Sequence, residues 1–196
     1  MLSARQIEQL ELFARELAAW NEKINLVSRK DVQQLMLHHI AHSLAPLHLF
    51  PFHDGARVLD LGTGGGLPGL PLAIAYPEVS FHLVDSIAKK IRVVESLVST
   101  LGLRNVEVEC ARAETLSVAG YDRVVTRGVA PLGQLWGWSS PLLREGGKLI
   151  AYKGYPLGER DCVGLTDSSL QLLPLQEVLV DDYFAEKCLA VVTLHS

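Results

Sequence analysis

A glycine-rich turn is the part of the chain best suited to hold a ligand. It directly follows the apolar stretch 57–61 and contains Gly62, Gly64, Gly65, Gly66 and Gly69. Glycine adopts positive φ without strain and lets a ligand approach the main chain, because it has no Cβ. A strand, a glycine turn and a helix start together form the nucleotide cradle of doubly wound α/β folds. The segment therefore predicts a cofactor site in which Gly62 and Gly64 contact the ligand.

The spacing of the glycines favours S-adenosylmethionine (SAM) over a dinucleotide. The pattern from Gly64 to Gly69 formally matches the dinucleotide fingerprint, but in that motif the first glycine directly follows the strand. If Gly62 is the first glycine, the third one is replaced by Leu67. SAM has no pyrophosphate, so its turn needs no anion site. An NAD-dependent oxidoreductase remains the alternative.

Acidic residues follow the next two predicted strands. Asp85 ends an apolar strand roughly twenty residues after the glycine turn, where a carboxylate can accept hydrogen bonds from ribose hydroxyls. NAD and SAM both contain this ribose, so Asp85 does not separate them. Ala113 and Glu114 follow the third strand, where an adenine would lie, and a backbone amide and a carboxylate there could bind its edge.

Two cations, each followed by a glycine, end the fourth and fifth predicted strands: Arg127 and Lys153. Because ligands bind at the carboxyl edge of open α/β sheets, this pair predicts an anionic or electron-rich substrate. Lys89 and Arg92 lie at a predicted helix start near the same edge and suit either RNA phosphates or a solvated face. We infer no metal, although histidines with ligand-like spacing occur at His38, His39 and His42.

The elements that position these residues alternate between strand and helix, which predicts a mostly parallel sheet in an α/β fold. We predict one domain, with a helical extension over 1–50 and a SAM-binding core over 51–196. The predicted strands are 57–61, 80–85, 105–110, 122–127 and 148–152, followed by an antiparallel hairpin of 175–180 and 187–194, seven strands in all.

The predicted helices are placed by capping and stop signals. A helix over 3–24 begins with a capping box of Ser3 and Gln6, and a second begins after Asp31 and ends before Pro46. A third helix, over 87–101, is capped by Ser86 and closed by Gly102. A fourth, over 131–144, has Pro131 in its first turn and is stopped by Gly146 and Gly147. Pro141 should shorten or kink this fourth helix.

Bulk composition excludes several classes of protein. The net charge of −4 argues against nucleic-acid binding over the whole surface, but not against a local basic face. No apolar run approaches the roughly 20 residues of a membrane span. Three widely spaced cysteines suggest neither a disulfide framework nor a zinc site. We expect a cytoplasmic monomer without an obligate protein partner.

Taken together, these motifs resemble the bacterial 16S ribosomal RNA (guanine-N7) methyltransferases, also called glucose-inhibited division protein B. The resemblance covers most of residues 20–155 and is most specific in the string from Gly62 to Ala75. It implies a Rossmann-like SAM-dependent methyltransferase fold and methylation of N7 of a guanosine, position 527, in the 16S rRNA or the small ribosomal subunit. It also implies cofactor contacts at Gly62, Leu67, Ala113, Glu114 and Arg127. The chain departs from the family pattern at His42, where an acid is usual, and at Gly128, where alanine is usual.

The implied reaction needs no general base, because guanine N7 carries a free lone pair at neutral pH. The protein would then act mainly by aligning N7, the methyl carbon and sulfur. Arg127 or Lys153 could bind O6 or phosphates without blocking N7. The alternatives are a SAM enzyme for a small molecule or protein, and a SAM-binding sensor without activity. Naked rRNA, an assembly intermediate and the mature subunit all remain open as substrates.

Overall fold

One mixed sheet runs through the centre of the molecule. The computed structural model describes residues 2–28, 31–165 and 168–194. Within these ranges the sheet has seven strands in the order β3-β2-β1-β4-β5-β7-β6. They are β1 Arg57–Leu61, β2 Ser80–Asp85, β3 Val106–Cys110, β4 Tyr121–Arg127, β5 Leu143–Gly154, β6 Ser168–Pro174 and β7 Lys187–Leu194. Strands β1–β5 are parallel, and β7 is antiparallel to both of its neighbours. This confirms the predicted α/β architecture.

Helices cover both faces of the sheet. They are α1 Ala4–Asn21, α2 Pro46–Leu49, α3 Gly69–Ala75, α4 Ala88–Leu101, α5 Leu132–Ser139 and α6 Glu159–Cys162. Alternate residues of β1 point to opposite faces, so that Val58 joins the apolar cluster under α1, α3 and α4, while Leu59 joins the cluster under α5. In the part of the chain that the structure describes, no helix is long and apolar enough to cross a membrane.

Helix α1 attaches the N-terminal segment to this frame. Its capping box is present as predicted, with Ser3 and Gln6 bonding reciprocally. The Gln6 amide also donates to the carbonyl oxygens of Ile74 and Ala75 at the end of α3, at 2.9 and 3.0 Å. Three large side chains of α1 are buried in the core: Leu10, Phe13 and Leu17.

The predicted second helix begins after Asp31 and ends before Pro46 as expected, but most of it is not an α-helix. The chain instead forms a 3₁₀ turn over Val32–Gln34 and a π-helix over Leu35–Ala41, and Pro46 begins α2. Proline is accepted there because the first N–H of a helix needs no intrahelical partner. The π-helix carries His39 into the interior of the molecule. Short π-helical stretches frequently occur at functional sites.

Two other helices differ from the prediction at their ends. Ser86 does not cap α4: the cap residue is Ile87, no side chain caps the helix, and the Ile87 N–H donates to the carboxylate of Asp85. Pro131 precedes α5 as its cap, and Pro141 lies in a 3₁₀ turn over Ser140–Leu142 that ends the helical segment. Strand β5 then begins at Leu143, so the glycines at 146 and 147 lie within a strand and do not stop a helix.

The terminal hairpin is confirmed, but its first strand was predicted wrongly. Strand β6 is Ser168–Pro174, and its partner β7 matches the predicted range 187–194. The apolar run 175–180 contains a 3₁₀ turn, Leu175–Glu177, in which Leu175 is fully buried. The apolar character of that run therefore reflects packing of a connecting segment, and the backbone pairing lies just before it.

Candidate active site

A cavity of about 660 Å³ opens at the carboxyl ends of β1, β2 and β4. This is the point where the strand order reverses direction, between β1 and β4, and open α/β sheets bind ligands in such a crevice. The structure brings all the predicted cofactor residues to its lining: Gly62, Gly64, Leu67, Asp85, Ala113, Glu114 and Arg127. The volume is typical of small-molecule sites, which measure about 300–1,000 Å³.

The glycine turn forms one wall of this cavity. Its main chain is fixed to β2, because the N–H groups of Gly62 and Thr63 both donate to the carbonyl oxygen of Val84, at 2.8 and 2.9 Å. Gly62 has φ +76° and Gly64 has φ +59°. A Cβ at Gly62 would collide with Val129, whereas one at Gly64 would meet no atom closer than 4.0 Å. Gly62 is therefore required both by its conformation and by its close neighbour.

Asp60 supports the turn from inside the protein. Its side chain is fully buried, and Oδ2 accepts hydrogen bonds from Thr63 Oγ1 at 2.7 Å and from the Gly69 N–H at 2.8 Å. Oδ1 has no hydrogen-bond partner among the described residues. Burial raises the pKa of this carboxyl to about 7. No role for Asp60 was predicted from the sequence.

Asp85 connects the glycine turn to helix α4. Its Oδ2 accepts from the Gly64 N–H at 3.0 Å and its Oδ1 from the Ile87 N–H at 2.9 Å. The ammonium of Lys90 lies 4.0 Å from Oδ2. A carboxylate offers about four lone-pair positions, so these two hydrogen bonds leave capacity for a ligand hydroxyl. Asp85 is 7% exposed and lines the cavity.

The predicted adenine and leucine positions lie at the same cavity. Ala113 and Glu114 form a 3₁₀ turn, Ala113–Thr115, directly after β3, and the Glu114 side chain is exposed. Leu67 lies in the glycine turn, is 4% exposed and packs into the core. Its position next to the turn is thus fixed by apolar packing as well as by the chain path.

A second wall contains Arg127 and two buried histidines. Arg127 Nη2 donates to His39 Nδ1 at 3.0 Å, and His42 also lines the cavity. Among the described residues no carboxylate lies within ion-pair distance of Arg127. Burial, and secondarily the charge of Arg127, lowers the pKa of His39 to about 4 and that of His42 to about 3. Both imidazoles are therefore neutral near pH 7.

Sequence reasoning missed how this second wall is assembled. His39 and His42 come from the N-terminal segment, and Tyr183, from a 3₁₀ turn before β7, completes the lining. Tyr183 stacks on His38 with ring centroids 3.6 Å apart. No local pattern connects positions so distant in the chain. In the described ranges no group of three or more His, Cys, Asp or Glu side chains is arranged to hold a metal ion.

The predicted RNA-binding cations are placed differently from one another. Lys89 and Arg92 are exposed on α4, and Lys90 of the same helix lines the cavity. Lys153 does not converge on the glycine turn. Its Nζ donates to Asp161 Oδ1 at 2.6 Å and to the Ala130 carbonyl at 2.7 Å, and the side chain is only 14% exposed. In the structure this ammonium connects the loop after β4 to α6.

Comparisons with known proteins agree with this geometry. Residues 6–170 match the sequence profile of the family GidB, described as rRNA small subunit methyltransferase G. The chain is 40% identical to ribosomal RNA small subunit methyltransferase G of Chlorobium luteolum, over 97% of this chain and 82% of that protein. It is 43% identical to the protein of the same name from Chlorobaculum tepidum, over 91% and 85%.

A solved structure shows the same fold at low identity. The chain is similar to a mutant of MtNAS in complex with S-adenosylmethionine, with a TM-score of 0.66 and 14% identity, over 96% of this chain and 73% of that one. At this identity the likeness concerns the fold alone. It supports the Rossmann-like α/β fold of this chain.

Proposed function

The chain belongs to the rRNA small subunit methyltransferase G family, and we propose that it transfers a methyl group from SAM to N7 of a guanosine, position 527, in 16S rRNA. The single observation that carries the proposal is the assembly of the cavity. Every cofactor residue expected from the sequence lines it, including Arg127, together with two neutral imidazoles. The family and the fold make SAM the cofactor and rRNA the substrate class.

The residues present fit SAM. Gly62 and Gly64 present bare main chain to the cavity, and a Cβ at Gly62 would collide with Val129, which also lines it. We propose that Asp85 binds the ribose hydroxyls and that Ala113 and Glu114 bind the adenine edge. Leu67 would complete the apolar part of the cradle, and Arg127 would bind the anionic end of the cofactor.

Methyl transfer from SAM to guanine N7 requires little from the protein beyond alignment of the two reactants. Bound SAM supplies a methyl group on a positively charged sulfur, and guanine N7 supplies the lone pair. No general base is required, and a cationic donor directed at N7 would inhibit the reaction by occupying the lone pair. The neutral histidines of the second wall suit this demand, because neither places a positive charge in the cavity near pH 7. A dry, preorganised cavity would contribute by holding the reactants in line.

RNA is proposed to reach the cavity across the exposed start of α4. Lys89 and Arg92 are exposed on the helix whose Lys90 lines the cavity, and they can contact phosphates. The target guanine must leave its stack to enter a cavity at the sheet edge, so a loop or flipped nucleotide is the expected substrate. The pairing of Lys153 with Asp161 argues against a phosphate contact there, and we propose that it fixes the loop after β4 instead.

Mapping of methylated nucleotides tests the proposal. We expect 16S rRNA from cells that lack the gene to lose one 7-methylguanosine, located by mass spectrometry of nuclease fragments. The purified protein should then restore it with labelled SAM on naked rRNA, on an assembly intermediate or on the mature subunit. An rRNA with 7-deazaguanosine at the target should accept no methyl group. Methylation of that RNA, or of a different atom, would refute the N7 assignment.

The assembly state and location belong to the same proposal. We propose that the protein acts as a monomer in the cytoplasm, where its rRNA substrate is made. Light scattering during size-exclusion chromatography measures the first point, and fractionation of cells measures the second. A dimer mass at micromolar concentration would contradict the monomer.

A further inference from the structure

His39 is not among the predicted cofactor-binding residues, but its side chain contacts Arg127, which is one of them. His39 is 9% exposed and lies on the π-helix of the N-terminal segment, while Arg127 ends β4. Their side chains meet across the cavity wall, with 3.0 Å between Arg127 Nη2 and His39 Nδ1. Both residues line the cavity.

The direction of this hydrogen bond is fixed by chemistry. A guanidinium only donates, so His39 Nδ1 must accept, and the ring proton must lie on Nε2. An imidazole can accept in this way only while it is neutral. Burial and the nearby guanidinium lower the pKa of His39 to about 4, so the lone pair on Nδ1 is available near pH 7.

The bond orients Arg127 without neutralising it. Among the described residues no carboxylate lies within 4.0 Å of the guanidinium, and its side chain hydrogen-bonds to His39. Arginine has five N–H donors, so most of them remain for a ligand. A half-buried guanidinium that is held by a neutral acceptor keeps its full charge, and such a group binds a carboxylate strongly.

We propose that His39 is a positioning residue that aims Arg127 at the carboxylate of the methionine part of SAM. This inference rests on the proposed function, since it names the cofactor group that the Arg127 guanidinium recognises. His39 itself need not touch the cofactor. Its contribution is a neutral acceptor at the place of Nδ1.

Calorimetric titration with SAM and with decarboxylated SAM tests the inference, because the two ligands differ only by the carboxylate. We expect wild type to prefer SAM by about ten- to a hundredfold, the range of a charge-assisted hydrogen bond. Arg127→Met should abolish the preference. His39→Leu should reduce it to a few-fold, while binding of decarboxylated SAM changes little.

Two conservative variants separate positioning from packing. His39→Asn places an amide oxygen near the position of Nδ1 and should keep the preference for SAM. His39→Gln places its oxygen near the position of Nε2 and should lose it. This pair also serves if the leucine variant fails to fold. Circular dichroism confirms that the titrated variants are folded.

The outcomes are distinct. Equal losses for both ligands in every His39 variant would overturn the inference, because His39 would then only pack. An unchanged preference with a raised KM for RNA would also overturn it, because Arg127 would then serve the acceptor. If wild type bound neither ligand, the proposed function itself would fail. Tight binding of SAM without any preference over its decarboxylated form would refute the inference alone.

Discussion

Replacement of His42 by phenylalanine should make the protein more resistant to acid. His42 is 6% exposed, and its pKa falls from 6.5 to about 3, mainly because of burial and then because of the charge of Arg127. The His42 imidazole therefore binds a proton near pH 6.5 in the unfolded chain but only near pH 3 in the folded chain. Consequently the free energy of unfolding decreases as the pH falls through this window. From pH 7.5 to pH 5.0 this side chain lowers it by about 2 kcal/mol, at about 1.4 kcal/mol per pH unit.

Asp60 acts in the opposite direction over the same window. Burial raises its pKa from 3.8 to about 7, so the folded chain binds this proton more tightly than the unfolded chain. Its contribution is fully present below pH 3.8 and is lost as the pH rises through about 7. Between pH 7.5 and pH 5.0 Asp60 therefore raises the free energy of unfolding by about 2–3 kcal/mol. In wild type the two effects largely cancel.

Two substitutions separate the contributions of His42 and Asp60 to the free energy of unfolding, which have opposite signs. His42→Phe keeps an aromatic ring beside Tyr152 and Phe184, and Asp60→Asn keeps an oxygen for the Thr63 and Gly69 donors. We compare the free energy of unfolding at pH 7.5 minus that at pH 5.0. This difference should be about 2 kcal/mol smaller than wild type in His42→Phe. It should be about 2–3 kcal/mol larger than wild type in Asp60→Asn.

Urea denaturation at the two pH values measures these differences, with equal m-values as the check on two-state behaviour. His42→Asn is the matched control: it also lacks the titrating ring but differs in baseline stability. Both His42 variants should shift the pH difference equally. A shift of the same sign in His42→Phe and Asp60→Asn, or no shift in either, would refute the reasoning from burial.

Two further predictions concern ligand and RNA binding. Gly62→Ala should lower the calorimetric affinity for SAM about tenfold more than Gly64→Ala. Positive φ costs an alanine about 1–2 kcal/mol at either position, but only the new Cβ at position 62 would also collide with Val129. Val129→Ala should recover part of that extra loss, and equal losses at the two glycines would contradict the collision. Lys89→Ala and Arg92→Ala should each reduce the slope of log affinity for rRNA against log salt by about 1, measured by filter binding. A slope unchanged by both substitutions would remove the proposed phosphate track.

The elements of the parallel sheet could be predicted because their signals are local. Strands buried on both faces are continuous apolar runs, and β1 and β2 have the predicted bounds. The terminal hairpin was harder, since β6 carries exposed residues such as Leu170, whereas the neighbouring segment contains the buried Leu175. Burial there follows from tertiary packing, which the order of residue types does not encode.

The contacts of the second cavity wall could not be predicted for a different reason. Arg127 was expected at the ligand edge, but its partner His39 lies 88 positions away in the chain. The spacing of the histidines suggested a metal pattern, and only the fold shows that His39 serves as an acceptor for a guanidinium. Lys153 likewise lies at the end of its strand as expected, but its ammonium forms an ion pair with Asp161. Pairing between side chains from different elements depends on rotamers and packing, which no motif specifies.

The two cavity walls therefore differ in the chain segments that form them and in the part of the reaction, cofactor or acceptor base, that each would select. The first wall comes from consecutive βα turns, with Gly62, Asp85 and Ala113 following three strands in chain order, and it would hold the nucleoside of the cofactor. The second wall combines Arg127 and the N-terminal segment, including His42, with Tyr183. A change on the second wall can alter the acceptor while the nucleoside contacts persist. Selectivity between acceptor bases should accordingly respond to substitutions at His42 and Tyr183, at unchanged affinity for the adenosine part of SAM.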